Sequence, residues 1–140
     1  MKTKIFILFV LLFGLSSFKI YSQEGFGSGI NNIYDVNTVE KISGEVTSLD
    51  KVYSDNNISY GNHLTLYSNN GQILVQLGPA WFVENQDIQI IAGDYVTVTG
   101  SRVTYNGSQL IVAKEVMKED KVLLLRDDNG YPLWAAWPNR

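Results

Sequence analysis

The segment HLTLYSNNGQILVQLGPAWFV, residues 63–83, carries the pattern that decides the fold. Apolar residues alternate with polar ones on either side of Asn70-Gly71, which predicts two strands, over 63–68 and 72–77, joined by a hairpin turn. Gly78-Pro79 ends the second strand, and residues 80–86 then contain the one stretch with a helical pattern. The segment therefore predicts a β-hairpin followed by a short helix.

Strand patterns continue on both sides of this segment. Apolar and polar residues alternate in four further stretches, which predicts strands over 38–52, 95–103, 110–117 and 122–126. Asn106-Gly107 predicts a hairpin turn before the strand at 110–117. The inward face of that strand is open between Leu110/Val112 and Ile111/Ala113.

The order of these elements predicts the architecture. Three strands, a short helix and two strands are the succession of an OB-fold. We therefore predict an all-β fold with one short helix: a five-stranded OB-fold-like Greek-key barrel with an appended C-terminal hairpin. A β-sandwich without a helix is the alternative. Gly44 favours the barrel, because the long first strand must bend to serve both sides of a closed sheet.

The N-terminus has the order of a secretory signal peptide. Lys2 and Lys4 precede an apolar run over residues 5–15, and small polar residues follow. Because that run is shorter than the roughly 20 residues of a membrane-spanning helix, we expect cleavage and no membrane span afterwards. The predicted organisation is a signal peptide over 1–22, a flexible lead-in over 23–37 and an OB-fold-like domain over 38–140, exported to the periplasm or the medium.

Charge and cysteine content exclude several function classes. Removal of residues 1–22 would leave 8 basic and 14 acidic residues, a net charge near −6. Nucleic-acid binding depends on neutralising phosphates with Lys and Arg, so we expect no nucleic-acid partner. The chain contains no Cys. Disulfides, thiolate metal sites and covalent haem attachment are therefore excluded.

Two uncommon motifs, LGPAWF at 77–82 and LRDDNGYPLW at 125–134, carry a family resemblance, together with GDYVTVTGS at 93–101. Through them, residues 34–134 resemble small exported bacterial OB-fold proteins related to the C-terminal domain of the magnetosome proteins MamS and MamX. The resemblance implies an envelope location and an OB-like barrel. It implies structural roles for the shared motif residues: Gly44, Gly78, Pro79, Trp81, Gly93, Asp94, Gly100, Arg126, Asp127, Gly130, Pro132 and Trp134.

Catalytic and metal-binding patterns are weak. His63 is the only histidine, and no serine lies in a nucleophile elbow, so we predict neither an enzyme nor a cofactor. Carboxylates gather near the C-terminus and could bind a hard cation, but Asp-Asp-Asn-Gly is also a simple turn. We therefore predict no metal site. The carboxylates concerned are Glu115, Glu119, Asp120, Asp127 and Asp128.

Aromatic residues and one arginine are the binding candidates. Flat side chains beside polar ones can stack on sugars, bases or other planar groups. We expect either Trp81 or Phe82 to fill the barrel bottom and the other to be open. Arg126 is expected either to pin the tail, by pairing with Asp127 or lying on an aromatic ring, or to contact an anion at a pocket edge. The candidate ligand-binding residues are Tyr53, Tyr60, Tyr67, Trp81, Tyr95 and Arg126, with Tyr105 as a further aromatic.

These observations predict a non-enzymatic, exported OB-fold binding module. Its partner is expected to be a small molecule, a saccharide or an envelope protein, held on the barrel face and the loop after the first strand. The alternatives are an envelope accessory or metal-handling factor, suggested by the link of the magnetosome relatives to iron minerals, and a single-stranded nucleic-acid binder.

Overall fold

The computed structural model describes residues 33–53 and 60–136, with Tyr53 and Tyr60 described by their backbones alone. The predicted signal peptide, most of the predicted lead-in and residues 54–59 lie outside this description. The strands are β1 (Val39–Tyr53), β2 (Tyr60–Ser68), β3 (Gly71–Pro79), β4 (Tyr95–Tyr105), β5 (Ser108–Lys118) and β6 (Lys121–Leu124). One α-helix, α1 (Ala80–Val83), follows β3, and 3-10 helices cover Val36–Thr38 and Leu133–Ala136.

The first five strands form a closed ring of hydrogen-bonded neighbours. The sheet order is β3-β2-β1-β4-β5-β6, and a parallel pairing of β3 with β5 closes the circuit. β6 continues the sheet from the far half of β5. This topology confirms the prediction of an all-β, OB-fold-like architecture with an appended hairpin, and the ring of strands is barrel-like. The sandwich alternative is wrong, because one sheet curves back on itself.

β1 bends where the sequence placed a glycine. The first half of β1 pairs with β4 and the second half with β2, and Glu45 lies opposite a residue of each. A Cβ on Gly44 would collide with the backbone carbonyl of Tyr67. A bulge between Val46 and Ser48 completes the bend. The long strand therefore serves both sides of the ring, as predicted.

The core fills the inside of the ring. Inward residues of all six strands are buried, and α1 adds Phe82 at one end. Trp134 packs against Phe82 with ring centroids 5.5 Å apart, so the C-terminal segment is part of this core. Within the described residues, no helix is long and apolar enough to cross a membrane.

β5 is buried on both faces, which explains why its pattern predicted no single inward side. Ile111 and Ala113 belong to the main core. Leu110 and Val112 form a second cluster on the outside of the ring. Tyr34 packs on it, as do two residues of the β4–β5 hairpin, Val103 and Tyr105. Tyr105, considered above as a binding aromatic, is therefore a packing residue.

Two element boundaries differ from the prediction. The helix expected over 80–86 ends at Val83. The backbone N–H groups of Asn85 and Gln86 bond carbonyls three residues back, and the side-chain amides of the same two residues donate to the carbonyls of Trp81 and Phe82. The last strand, expected over 122–126, ends at Leu124. Leu125 and Arg126 both donate their backbone N–H to the Lys114 carbonyl, which interrupts the regular ladder.

Candidate functional site

An aromatic row crosses the outer face of the ring at the bend of β1. Glu45 lies directly opposite Tyr67 of β2 and directly opposite Tyr95 of β4. Residues directly opposite in a sheet project from the same face. The two tyrosines are 56% and 68% exposed, so their rings face solvent on either side of the carboxylate. We name these three residues the aromatic row.

The polar groups of the aromatic row are not used within the fold. Among the residues that the structure describes, the Glu45 carboxylate and the two phenol hydroxyls make no hydrogen bond or ion pair. Neighbouring outer-face positions differ. Ser43 and Thr97, for example, hydrogen-bond each other at 2.7 Å. The aromatic row therefore offers its polar atoms to a ligand.

The loop before β4 holds one end of the row in place. The Asp94 carboxylate accepts hydrogen bonds from the Ile91 backbone N–H and from Lys118 Nζ, and these two contacts lower the pKa of Asp94 in that order. Backbone hydrogen bonds join Val46 to Gly93 and Asp94. Tyr95 therefore begins β4 at a fixed position relative to Glu45.

The other predicted aromatic candidates do not all join this row. Tyr53 and Tyr60 lie opposite each other where β1 ends and β2 begins, and their side chains are outside the described part of the chain. Phe82 is the buried member of its pair, at 2% exposure. Trp81 is half-buried against the core and meets the Phe82 ring edge to face, so it is not the open platform that we expected.

Arg126 is buried on the outside of the ring, beneath the C-terminal segment. It is 1% exposed, and its guanidinium donates to the Ala113 carbonyl and, at 3.0 Å, to Gln76 Oε1. The guanidinium carbon lies 4.8 Å from the Trp134 ring centroid. Burial lowers the pKa of Arg126 to about 10. This burial argues against the expected anion contact at a pocket edge. It favours the other expectation, that Arg126 pins the tail to the barrel.

Asp127 does not pair with the Arg126 guanidinium. Its Oδ1 atom accepts the backbone N–H groups of Asn129 and Tyr131, which closes the Asp-Asp-Asn-Gly turn. Arg126 and Pro132 then pair across the turn. Arg126 was expected either to pair with Asp127 or to lie on an aromatic ring, and in the structure it lies on the ring of Trp134.

His63 lies on the outer face of β2, opposite Gln76, which accepts a hydrogen bond from Arg126. It is 8% exposed, with Asp50 of β1 and Gln76 of β3 directly opposite. Burial lowers the pKa of His63, and the nearby Asp50 charge partly opposes that shift. The imidazole therefore presents little surface to a substrate.

The C-terminal carboxylates have separate partners. Asp128 pairs with Lys114, which lowers the pKa of the carboxyl, and Asp127 is held by its turn. Among the described residues, no three His, Cys, Asp or Glu side chains come together as a metal ion would require.

An open groove of about 480 Å³ lies beside the edge strand β6. One wall is the segment 86–88, and the other is residues 121–123 of β6. It offers no aromatic ring, and its charged lining residues, Asp87 and Lys121, are of opposite sign. The groove is therefore a less specific binding surface than the aromatic row.

Sequence reasoning found the two tyrosines of the row but missed Glu45. An exposed glutamate in a strand is common, and its role here depends on the cross-strand register. The Asn-Gly turn fixes only the register of β2 with β3. Placing Glu45 between the tyrosines needs the registers of β1 with both neighbours, and no Asn-Gly turn fixes either of them.

The comparisons with known proteins agree with this fold. A search of the curated proteins finds no match. The model of the MamS/MamX magnetosome protein family matches residues 38–123, from the start of β1 into β6. This match covers more than half of the 140 residues. The chain belongs to the MamS/MamX magnetosome protein family.

Proposed function

We propose that this chain is a non-enzymatic binding module that holds its ligand on the outer face of the ring, over the aromatic row. The observation that carries the proposal is the placement of two exposed tyrosines on either side of one unused carboxylate. Aromatic rings supply contact area at small entropic cost, and the carboxylate fixes the orientation of the ligand. The ligand is a small molecule, a saccharide or a surface group of a partner protein.

The surroundings of the row support binding over catalysis. The one histidine is buried beside Asp50, at some distance along β2 from Tyr67. A general acid or base must reach its substrate directly or through one water molecule. We include in the proposal that the mature chain begins near Gln23 and acts outside the cytoplasm, which the signal-like pattern of residues 1–22 supports.

The metal-handling alternative has weaker support from the described residues. Asp127 and Asp128, its strongest sequence candidates, are engaged by backbone N–H groups and by Lys114. A cation would have to displace both arrangements. Family membership supports a magnetosome-associated role and leaves the ligand open.

Ligand mapping tests the proposed function. A panel of envelope saccharides, metabolites and short peptides at millimolar concentration is titrated into the isotope-labelled chain. We expect amide shifts to change along the middle of β1, at Tyr67 and at Tyr95. Tyr67→Ala and Tyr95→Ala should each weaken binding by about three- to tenfold, which corresponds to the loss of one stacking contact.

The control variant is Tyr131→Ala, because Tyr131 is also an exposed tyrosine, at 63%, but lies in the C-terminal turn. It should leave affinity unchanged. Shifts confined to the groove at 86–88 and 121–123, or no binding by any panel member, would overturn the proposed function.

A further inference from the structure

We infer that the aromatic row is a receptor for an organic cation, an ammonium or guanidinium group, held between the two tyrosine rings and above Glu45. This inference rests on the proposed function and names the chemical class of its ligand. It depends on the geometry, the charge and the unused bonding capacity of the same three residues.

The spacing of the rings fits one cationic group. Neighbouring strands lie about 4.8 Å apart, so the two tyrosine positions, separated by β1, are about 10 Å apart. A group above Glu45 would then lie about 5 Å from each tyrosine position. A cation is attracted to an aromatic face within about 6 Å of the ring centroid. Both rings can therefore contact the same cation.

The Glu45 carboxylate adds a negative charge, which favours a cationic ligand over a neutral one. Glu45 has no ion-pair partner among the described residues. Lys118, at the neighbouring end of β5, is held by Asp94 at 2.9 Å and by the Gln89 carbonyl at 2.9 Å. On the same strand and face, Lys41 is four residues from Glu45, about 13 Å along the strand. The negative charge of the row is thus left for a ligand.

A saccharide fits the same residues less well. Sugar recognition needs several hydrogen-bonding groups around the ring plane, and the next hydroxyls on this face, those of Ser43 and Thr97, bond each other. An anion is disfavoured by Glu45. Two electron-rich faces around one carboxylate are the arrangement that recognises alkylammonium and guanidinium groups.

Two matched ligand pairs test the inference. The first is choline and 3,3-dimethylbutan-1-ol, in which carbon replaces the charged nitrogen. The second is acetyl-Gly-Arg-Gly-amide and the same peptide with citrulline for arginine. We expect the charged member of at least one pair to bind about fivefold or more tightly than its neutral partner, as two cation–π contacts and one carboxylate would give. The pair that responds shows whether the cation is a free small molecule or a peptide side chain.

Glu45→Gln should remove most of the difference between charged and neutral members while leaving the weak binding of the neutral member unchanged. Glu115→Gln is the matched control. It makes the same charge change on the outer face, where Glu115 faces Thr99 and Leu124 instead of tyrosines. We expect it to alter affinity less than twofold, and thermal melts check that both variants fold.

The outcomes separate this inference from the proposed function. Equal binding of charged and neutral members, with both lost in Tyr67→Ala, overturns the cation inference and leaves the binding module intact. An equal effect of Glu45→Gln and Glu115→Gln also overturns it, because long-range charge would then explain the preference. Absence of binding by both pairs and by the wider panel overturns the two proposals together.

Discussion

Burial of His63 between two neighbouring strands lowers the pKa of its imidazole. The imidazole is 8% exposed, and burial lowers its pKa although Asp50 lies opposite on β1. Gln76, the residue opposite on β3, is a neutral amide that also accepts from Arg126. A buried site of this kind favours the uncharged ring, so protonation and folding are coupled.

We expect the chain to lose stability on acidification through this residue. In the unfolded chain the histidine takes up a proton near its ordinary pKa of about 6.5. The folded chain takes it up only at lower pH, so the unfolded state binds more protons in that interval. The free energy of unfolding therefore falls as pH drops below about 6.5 and levels off once the folded-state pKa is passed.

Urea denaturation at a series of pH values measures this effect. His63→Gln should flatten the dependence between about pH 7 and pH 5.5, whatever its effect on absolute stability. The carboxylates that carry lowered pKa values, Asp94 and Asp128, titrate below this window. An unchanged slope in the variant would contradict the assignment to His63.

At the scale of elements, the buried guanidinium of Arg126 holds the C-terminal segment, residues 125–134, against the ring. Arg126 bonds Ala113 of β5 and Gln76 of β3, the two strands whose parallel pairing closes the ring. Trp134 covers the guanidinium and lies against Gly78, where a Cβ would come within 2.8 Å of the indole. The motif residues around positions 78 and 126–134 thus together hold the C-terminal segment against the ring.

We predict that Arg126→Met lowers the free energy of unfolding by about 3 kcal/mol, because it keeps the apolar contact with Trp134 but leaves buried acceptors without their charged donor. Urea denaturation gives this value. Adding Gln76→Leu should recover part of the loss, since both polar partners are then replaced. Lys121→Met, an exposed lysine of β6, is the control and should change little. A loss below about 1 kcal/mol in Arg126→Met would contradict the role assigned to the guanidinium.

The strands and their order could be predicted from the sequence because alternation and turn residues are local signals. The bend at Gly44 and the hairpin at Asn70-Gly71 are both where the pattern placed them. The outward position of Arg126 and the neighbourhood of Glu45 could not be predicted, since both depend on contacts between strands distant in sequence. The helix ended early because Asn85 and Gln86 bond the carbonyls of the preceding turn, a competition that periodicity does not show.

At the scale of the whole molecule, charge placement decides which partners fit. Beyond residue 22 the chain has eight basic residues, and four of them pair with carboxylates: Lys51, Arg102, Lys114 and Lys118. Arg126 is buried. Among the described residues, the basic side chains left to meet phosphates are those of Lys41 and Lys121, while the chain beyond residue 22 carries 14 acidic residues.

This placement predicts that the chain lacks the salt-dependent affinity for single-stranded nucleic acid that OB-folds often show. Each phosphate contact makes the logarithm of the affinity fall linearly with the logarithm of the salt concentration. A chain with so few available basic side chains gains almost no affinity from such contacts. Fluorescence anisotropy of a labelled oligonucleotide should show no binding at low salt by the chain that begins at Gln23. Binding that weakens steeply as salt is added would contradict this prediction. The proposed cation site depends instead on the local placement of Glu45 between Tyr67 and Tyr95, so choline or the arginine peptide should bind under the conditions in which the oligonucleotide does not.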